Sequence, residues 1–221
     1  MRLKADLHIH SNCSDGKYSP AEIVYTAIEK DLNIISITDH NTFSGSMIAR
    51  KLAKEHDILV IPGVEVRTNI GDVLLFCERE IDFPREIHAL IDRAHSENCL
   101  IVPAHPFDLM RLGVGDYVFE IRDWDAIEIW NASANKGSNY RAIEAAKILN
   151  KPGLANSDAH ILDEIGSAYN LIETSELNIS SVLEAIRKNM VKPVFGNPSL
   201  KTRLNRLLWS VESSTRKITK K

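Results

Sequence analysis

Asp6, His8 and His10 occupy alternate positions of one short stretch, Asp6-Leu7-His8-Ile9-His10. In a strand, alternate side chains share a face. Two imidazoles and a carboxylate would then stand on one ledge, with Leu7 and Ile9 on the other side. Buried polar groups need partners, and a ledge of this kind usually finds one in a metal ion. The chain keeps supplying groups of the same type: Asp15, then Asp39-His40, Glu65, His105, Asp158 and His160. Any one of them alone would be an ordinary structural polar residue. Together they form a set of nitrogen and oxygen donors suited to a divalent cation.

Such donors act together only if separate elements carry them to one place. The hydrophobic pattern supplies those elements. Strands are expected over residues 2–9, 34–37, 58–61, 100–102, 126–130, 153–155, 168–172 and 192–195, with a hairpin of 64–68 and 72–77 around Asn69-Ile70-Gly71. Helices are expected from Ser19-Pro20-Ala21-Glu22 onward, where Ser caps, Pro opens and Glu closes a capping box, and over 42–56, 83–97, 140–149 and 179–189. Residues 107–123 read as an irregular excursion. Nearly every strand ends in a His or a carboxylate. In a βα barrel the strand ends converge on one mouth, whereas an open sheet would spread them along an edge. The expected fold is therefore α/β, a closed or nearly closed barrel with mostly parallel strands. Leu204, Leu207, Leu208 and Val211 fall at helical spacing within 200–211, which predicts an amphipathic helix packed on the barrel. Residues 213–221 read as a polar, basic, frayed tail. The barrel is assigned to residues 1–198, and the helix and tail to 199–221.

Composition narrows the class. With 221 residues, 44% hydrophobic and 26% charged, the chain fits one large soluble domain. Its 27 basic and 30 acidic residues leave a net charge of −3, which gives no global pull toward nucleic acid or an anionic membrane. Cys13, Cys77 and Cys99 are too few and scattered for a disulfide framework, so reduced thiols and a cytoplasmic location are expected. No apolar run is long enough to span a bilayer.

The motifs Asp6-Leu7-His8-Ile9-His10-Ser11 with Ser14-Asp15-Gly16, Thr38-Asp39-His40, Gly63-Val64-Glu65, His105-Pro106 and Ser157-Asp158-Ala159-His160 resemble, in order, those of the polymerase-and-histidinol-phosphatase (PHP) superfamily. The resemblance spans residues 6–160. It implies a distorted (β/α)7 barrel, TIM-like, with a trinuclear metal site at its mouth. Carried over residue by residue, one metal takes His8, His10, Glu65 and Asp158. Glu65 bridges to a second metal shared with His105, and the third takes Asp15, His40 and His160. Where the family commonly has a His after the hairpin Gly, this chain has Asp72, a harder oxygen donor or simply a hairpin residue. The implied cofactors are two to three divalent ions: zinc, manganese or iron, with magnesium possible. Asp6 is expected to orient an imidazole, and Asn131 to line the pocket or close a turn.

The activity this implies is metal-dependent hydrolysis of phosphate esters, with a metal-activated hydroxide as nucleophile. Arg67, on the face of its strand that carries Glu65, and Arg141 are the candidate phosphate clamps. His160 or Asp39 is the candidate proton donor to the leaving group. The expected partner is a small phosphorylated substrate, with no membrane involved and the oligomeric state left open. A single-strand exonuclease is the alternative, for which Phe43, Phe107 and Trp130 would be the stacking aromatics. A non-enzymatic scaffold like the protein subunit of ribonuclease P is a third reading, and the rich donor set argues against it.

Overall fold

The computed structural model describes residues 1–218. The chain opens with β1 (Arg2–Ile9), α1 (Pro20–Glu29), β2 (Ile34–Ile37), α2 (Ser44–Leu52) and β3 (Leu59–Val60). The hairpin β4 (Gly63–Arg67) and β5 (Asp72–Phe76) leads to α3 (Ile87–Ser96), β6 (Leu100–Pro103) and the short α4 (Tyr117–Glu120). Then come β7 (Ile127–Asn131), α5 (Lys136–Leu149), β8 (Gly153–Asn156), β9 (Tyr169–Glu173), α6 (Ile179–Arg187), β10 (Val191–Val194) and α7 (Leu200–Ile218). The capping box read from the sequence is present. Ser19 Oγ accepts from Glu22 N at 3.4 Å, and Glu22 Oε2 accepts from Ser19 N at 2.9 Å.

The strands do not close into one ring. They form three sheets, β10-β9-β1-β2-β3, β4-β5-β6 and β7-β8. Pairing is mixed rather than mostly parallel: β9 runs antiparallel to both β1 and β10, and β5 to both β4 and β6. The physical reason lies at the seams, where side chains replace backbone ladders. Asp125 Oδ2 accepts from Ile101 N at 2.8 Å between β6 and β7. Between β8 and β9, Asn170 accepts from Ala155 N at 2.9 Å and donates to Ala155 O at 2.7 Å. Asn156 Oδ1 accepts from Leu7 N of β1 at 3.1 Å. Single backbone bridges, Ile9 to Ala159 and His40 to Glu65, complete the seams. The three sheets still share one interior. Leu7, Ile34, Leu74, Val102, Leu154 and Ile172 belong to one buried cluster.

Two further expectations need correction. Cys77 and Cys99 are joined in a disulfide, and only Cys13 is free. The β5–β6 register pairs Phe76 with Leu100, so the next residues outward face each other, with Cα atoms 4.4 Å apart, within disulfide reach. The second concerns α7, which packs through its other face. Leu204, Leu207, Leu208 and Val211 are all exposed, whereas Thr202 and Trp209 are buried. The polar face wins because it finds specific partners. Trp209 Nε1 donates to Asp15 O at 3.1 Å, and Asn205 Nδ2 donates to Asp163 at 3.0 Å. The helix also continues to Ile218, through part of the expected tail. Residues 219–221 lie outside the described residues. No described helix is long and apolar enough to cross a membrane.

Candidate metal centre

Eight of the expected ligands line one cavity of about 170 Å³ at the common end of the core: His10, Asp15, His40, Glu65, Asp72, His105, Asp158 and His160. His8 lies fully buried against them. β1 delivers His8 and His10, the end of β2 delivers His40, and the hairpin delivers Glu65 and Asp72. The turns after β6 and β8 deliver His105, Asp158 and His160. Two of these residues sit in the left-handed backbone region, His105 at φ +31° and Asp158 at φ +50°. Such a conformation costs about 1–2 kcal/mol for an L-residue, and strain held at a strand end is a mark of a functional position. Gly16 of the first motif packs so closely that a Cβ there would lie 2.2 Å from His10 O.

Glu65 is the hub. Its Oε2 lies 3.5 Å from His8 Nε2, 3.3 Å from His10 Nε2 and 3.1 Å from His40 Nδ1, while Oε1 lies 3.1 Å from His105 Nε2. Asp158 Oδ1 faces His8 Nε2 at 3.6 Å, His10 Nε2 at 3.3 Å and His160 Nδ1 at 3.6 Å. Asp15 faces His160 at 3.3 Å, and His10 and His40 at 3.7 Å. Burial pulls the His8 and His10 imidazoles down. The carboxylates around them outweigh it, holding His8 well above the ordinary range and His10 up at about 10. Burial also opposes charge on Glu65 and Asp158, yet the imidazoles, and Arg111 beside Asp158, hold both well below the usual carboxylate range. Burial and the His10 charge push His160 down to about 4. The cavity is thus a concentrated trap for positive charge.

The donors fall into four groups whose ligand atoms are close enough to share an ion: His10-Asp15-His40-His160, His8-His10-Glu65, His8-His105-Asp158 and His40-Glu65-Asp72. Their chemistry fits divalent cations. The Nδ1 atoms of His10, His40 and His105 are buried with no hydrogen-bond partner, as nitrogens with a lone pair to offer would be. The first two groups follow the implied assignment closely. The implied pairing of His105 with Asp72 does not appear among them. His105 groups with His8 and Asp158, and Asp72 groups with His40.

Other expected residues lie elsewhere. Asp39 is fully buried and absorbed by the 11–14 loop, accepting from Ser11 N at 2.8 Å, Ser11 Oγ at 2.6 Å and Ser14 Oγ at 2.6 Å. With its oxygens so occupied outside the cavity lining, it is not a proton donor to a leaving group. Arg141 pairs with Asp116 and covers the Phe107 ring at 4.3 Å, also outside the cavity. Arg67 does line the cavity, but grips Asp72 through two bonds of 3.1 Å. Asp6 touches no imidazole. It accepts from Ser157 N at 3.1 Å and Gly166 N at 2.8 Å, anchoring the segment that carries Asp158 and His160. Burial raises its carboxyl to about 6. Asn131 fills both of its expected roles. Its amide donates to Asp158 Oδ2 at 3.2 Å, and its Oδ1 accepts from Ser133 N and Ala134 N at 3.0 Å.

Sequence reasoning missed Glu128, Arg111 and Arg206. Glu128 is fully buried. Its Oε1 lies 3.0 Å from His8 Nδ1 and accepts from Asn156 Nδ2 at 2.9 Å. Its Oε2 accepts from His105 N at 2.6 Å and Asn131 Nδ2 at 3.0 Å. A lone acid inside the apolar run Ile127–Trp130 was the available signal, since unpaired acids are almost never fully buried. Arg111 donates to Asp158 Oδ2 at 2.7 Å, and Arg206 reaches the cavity from α7. Neither belongs to a motif.

The comparisons with known proteins agree with this geometry. Uncharacterized protein MJ1587 of Methanocaldococcus jannaschii is 31% identical over 147 residues, covering 61% of this chain and 85% of that protein. A 5'-3' exoribonuclease of Haemophilus influenzae is 45% identical over 69 residues, which is 31% of this chain and 25% of that enzyme. Among solved structures, a two-domain protein from Bacteroides vulgatus containing a predicted PHP-like metal-dependent phosphoesterase superposes with a TM-score of 0.74 at 19% identity. That match covers 89% of this chain and 65% of the other, and it speaks for the fold. The PHP domain matches residues 6–112 and the PHP-associated domain residues 136–191, so the chain belongs to the PHP family.

Proposed function

We propose that this protein is a metal-dependent hydrolase of phosphate esters, and that His8, His10, Asp15, His40, Glu65, Asp72, His105, Asp158 and His160 hold its metal ions. The observation that carries this reading is the meeting of five imidazoles and four carboxylates in and against one small buried cavity, with three ring nitrogens left unpartnered. The donor set suits two or three ions of zinc, manganese or iron, with magnesium less well served. Such ions supply a water ionised near neutral pH and positive charge for phosphate oxygens. The chain's own residues do the rest. Glu128 fixes the His8 ring. Arg111 holds Asp158 by Oδ2, which leaves Oδ1 toward the imidazoles. Arg67 and Arg111, both at the cavity, are the phosphate-binding arginines in this reading. His160 is a ligand rather than an acid, because Asp15 and the Asp158 carbonyl occupy its two nitrogens. We take residues 1–198 as the catalytic unit, an opened variant of the (β/α)7 barrel, and 199–221 as its C-terminal helix and tail.

The exonuclease reading draws on the identity to the Haemophilus enzyme. It lacks stacking surfaces, because Phe43, Phe107 and Trp130 are all buried. A small substrate in the cytoplasm is the reading we adopt. The Cys77–Cys99 bond is the one feature that pulls toward an oxidising compartment.

The deciding experiment loads purified protein with manganese or zinc. It then compares phosphomonoesters, cyclic nucleotides and short oligonucleotides as substrates of the wild type, His8→Ala and Asp158→Ala. Hydrolysis of a small ester by the wild type, lost in both folded variants, is expected. Full activity in either variant would sink the ligand assignment.

A further inference from the structure

A second cavity, of about 540 Å³, adjoins the metal cavity and shares Met110, Arg111 and Arg206 with it. Arg203 of α7 also lines it, so three guanidinium groups face one space. Two carboxylates line it too, and both are committed. Glu164 Oε2 accepts from His160 N at 2.8 Å and Ile161 N at 3.3 Å, and its Oε1 lies 3.9 Å from Arg206 Nε. Asp108 Oδ2 accepts from Asn135 N at 3.3 Å. Arg111 is held by Asp158, whereas Arg203 is exposed and forms no ion pair among the described residues. The wall opposite α7 is the amino end of the 14-residue α5, whose cap Asn135 lines the cavity. Helix amino ends carry partial positive charge and favour anions. A cation left unpaired, a helix amino end and two further arginines thus surround a space open to the metal centre.

We infer that this cavity binds the leaving-group side of the substrate, and that this side carries a second anionic group of the phosphate class. The inference rests on the phosphoesterase reading and narrows its substrate to an ester with two phosphates held apart by an organic body. It also gives α7 a task. The C-terminal helix carries the arginines that read the second anion, and so selects among substrates that the metal centre alone would treat alike. Guanidinium suits this role because its fixed fork matches phosphate oxygens in pairs.

The test compares adenosine 3',5'-bisphosphate with adenosine 3'-monophosphate, and fructose 1,6-bisphosphate with fructose 6-phosphate, which separates a nucleoside from a sugar as the organic body. Binding to the metal-free full chain is measured by calorimetry, and kcat/KM is measured with manganese. In at least one pair the bisphosphate is expected to bind the wild type about tenfold or more tightly than the monophosphate, a gain of about 1.4 kcal/mol. Arg203→Glu should bring that ratio near one, and Arg203→Lys should keep most of it. A ratio near one in the wild type for both pairs, or an unchanged ratio in Arg203→Glu, overturns the subsite. If manganese-loaded protein hydrolyses no ester in the panel while the binding ratio behaves as expected, the phosphoesterase reading fails and the anion subsite stands.

Discussion

Glu128 Oε1 lies 3.0 Å from His8 Nδ1, with both side chains fully buried. A carboxylate there accepts the Nδ1 proton and leaves the Nε2 lone pair facing Glu65 and Asp158. Glu128→Gln puts an amide into that network, where it can donate to Nδ1 and drive the proton to Nε2. Metal affinity should fall about 10–100-fold, as read by competition with a chelating dye. Unchanged affinity would remove Glu128 from the metal-supporting role.

The charge pattern sets a pH dependence. His10 is held at about 10 against the pull of burial, by Asp158 and Glu65. A metal ion can use its nitrogen only once the proton has left. Apparent metal affinity should therefore climb as pH rises from about 6 to 9, about tenfold per unit for each proton displaced. Calorimetry of manganese binding in buffers of different ionisation enthalpy should detect proton release near pH 7. Binding with no release would mean that His10 stays protonated and does not ligate.

The disulfide makes a simple count. Denatured protein prepared without reductant should expose one reactive thiol, from Cys13, and three after reduction. Cys77→Ser should lower unfolding free energy in urea by about 3 kcal/mol, the scale expected for a closed loop of this length. Three free thiols in protein taken directly from cells would restore the reduced state and the cytoplasmic argument that goes with it.

Trp209 ties α7 to the loop of Asp15. Trp209→Ala should cost about 3–5 kcal/mol of stability through lost packing. Trp209→Phe should cost only about 1 kcal/mol, for the missing hydrogen bond. The alanine variant should also loosen the His10-Asp15-His40-His160 group, seen as weaker retention of one metal on dialysis. Equal stability of all three proteins would show that the helix rests on the barrel without anchoring it.

Much of the centre was legible because its ligands come in compact motifs at the ends of apolar strands, where a histidine or acid has no ordinary structural reason to be. Partners that meet only in space were not. Glu128 touches His8 across 120 positions of sequence, and Arg111 reaches Asp158 across 47. Arg111 also sits in the excursion that gave no periodic signal. Periodicity located α7 but not the face it packs with, because apolar spacing is silent about the hydrogen bonds of Trp209 and Asn205. Motif order favoured a closed barrel, since hydropathy cannot foresee buried asparagines and carboxylates standing in for backbone pairing at the seams. Asp39 sits inside a motif, and only the positions of Ser11 and Ser14 reveal that it braces the loop.

β1 lies between β2 and β9, and its histidines meet Asp158 only across the bridge from Ile9 to Ala159. During synthesis the two imidazoles leave the ribosome first and wait through most of translation for the carboxylate that completes their shell. Metal capture therefore reports that the chain has been made through its eighth strand. A fragment that stops short of it carries half of the motifs and should be unable to hold the ions.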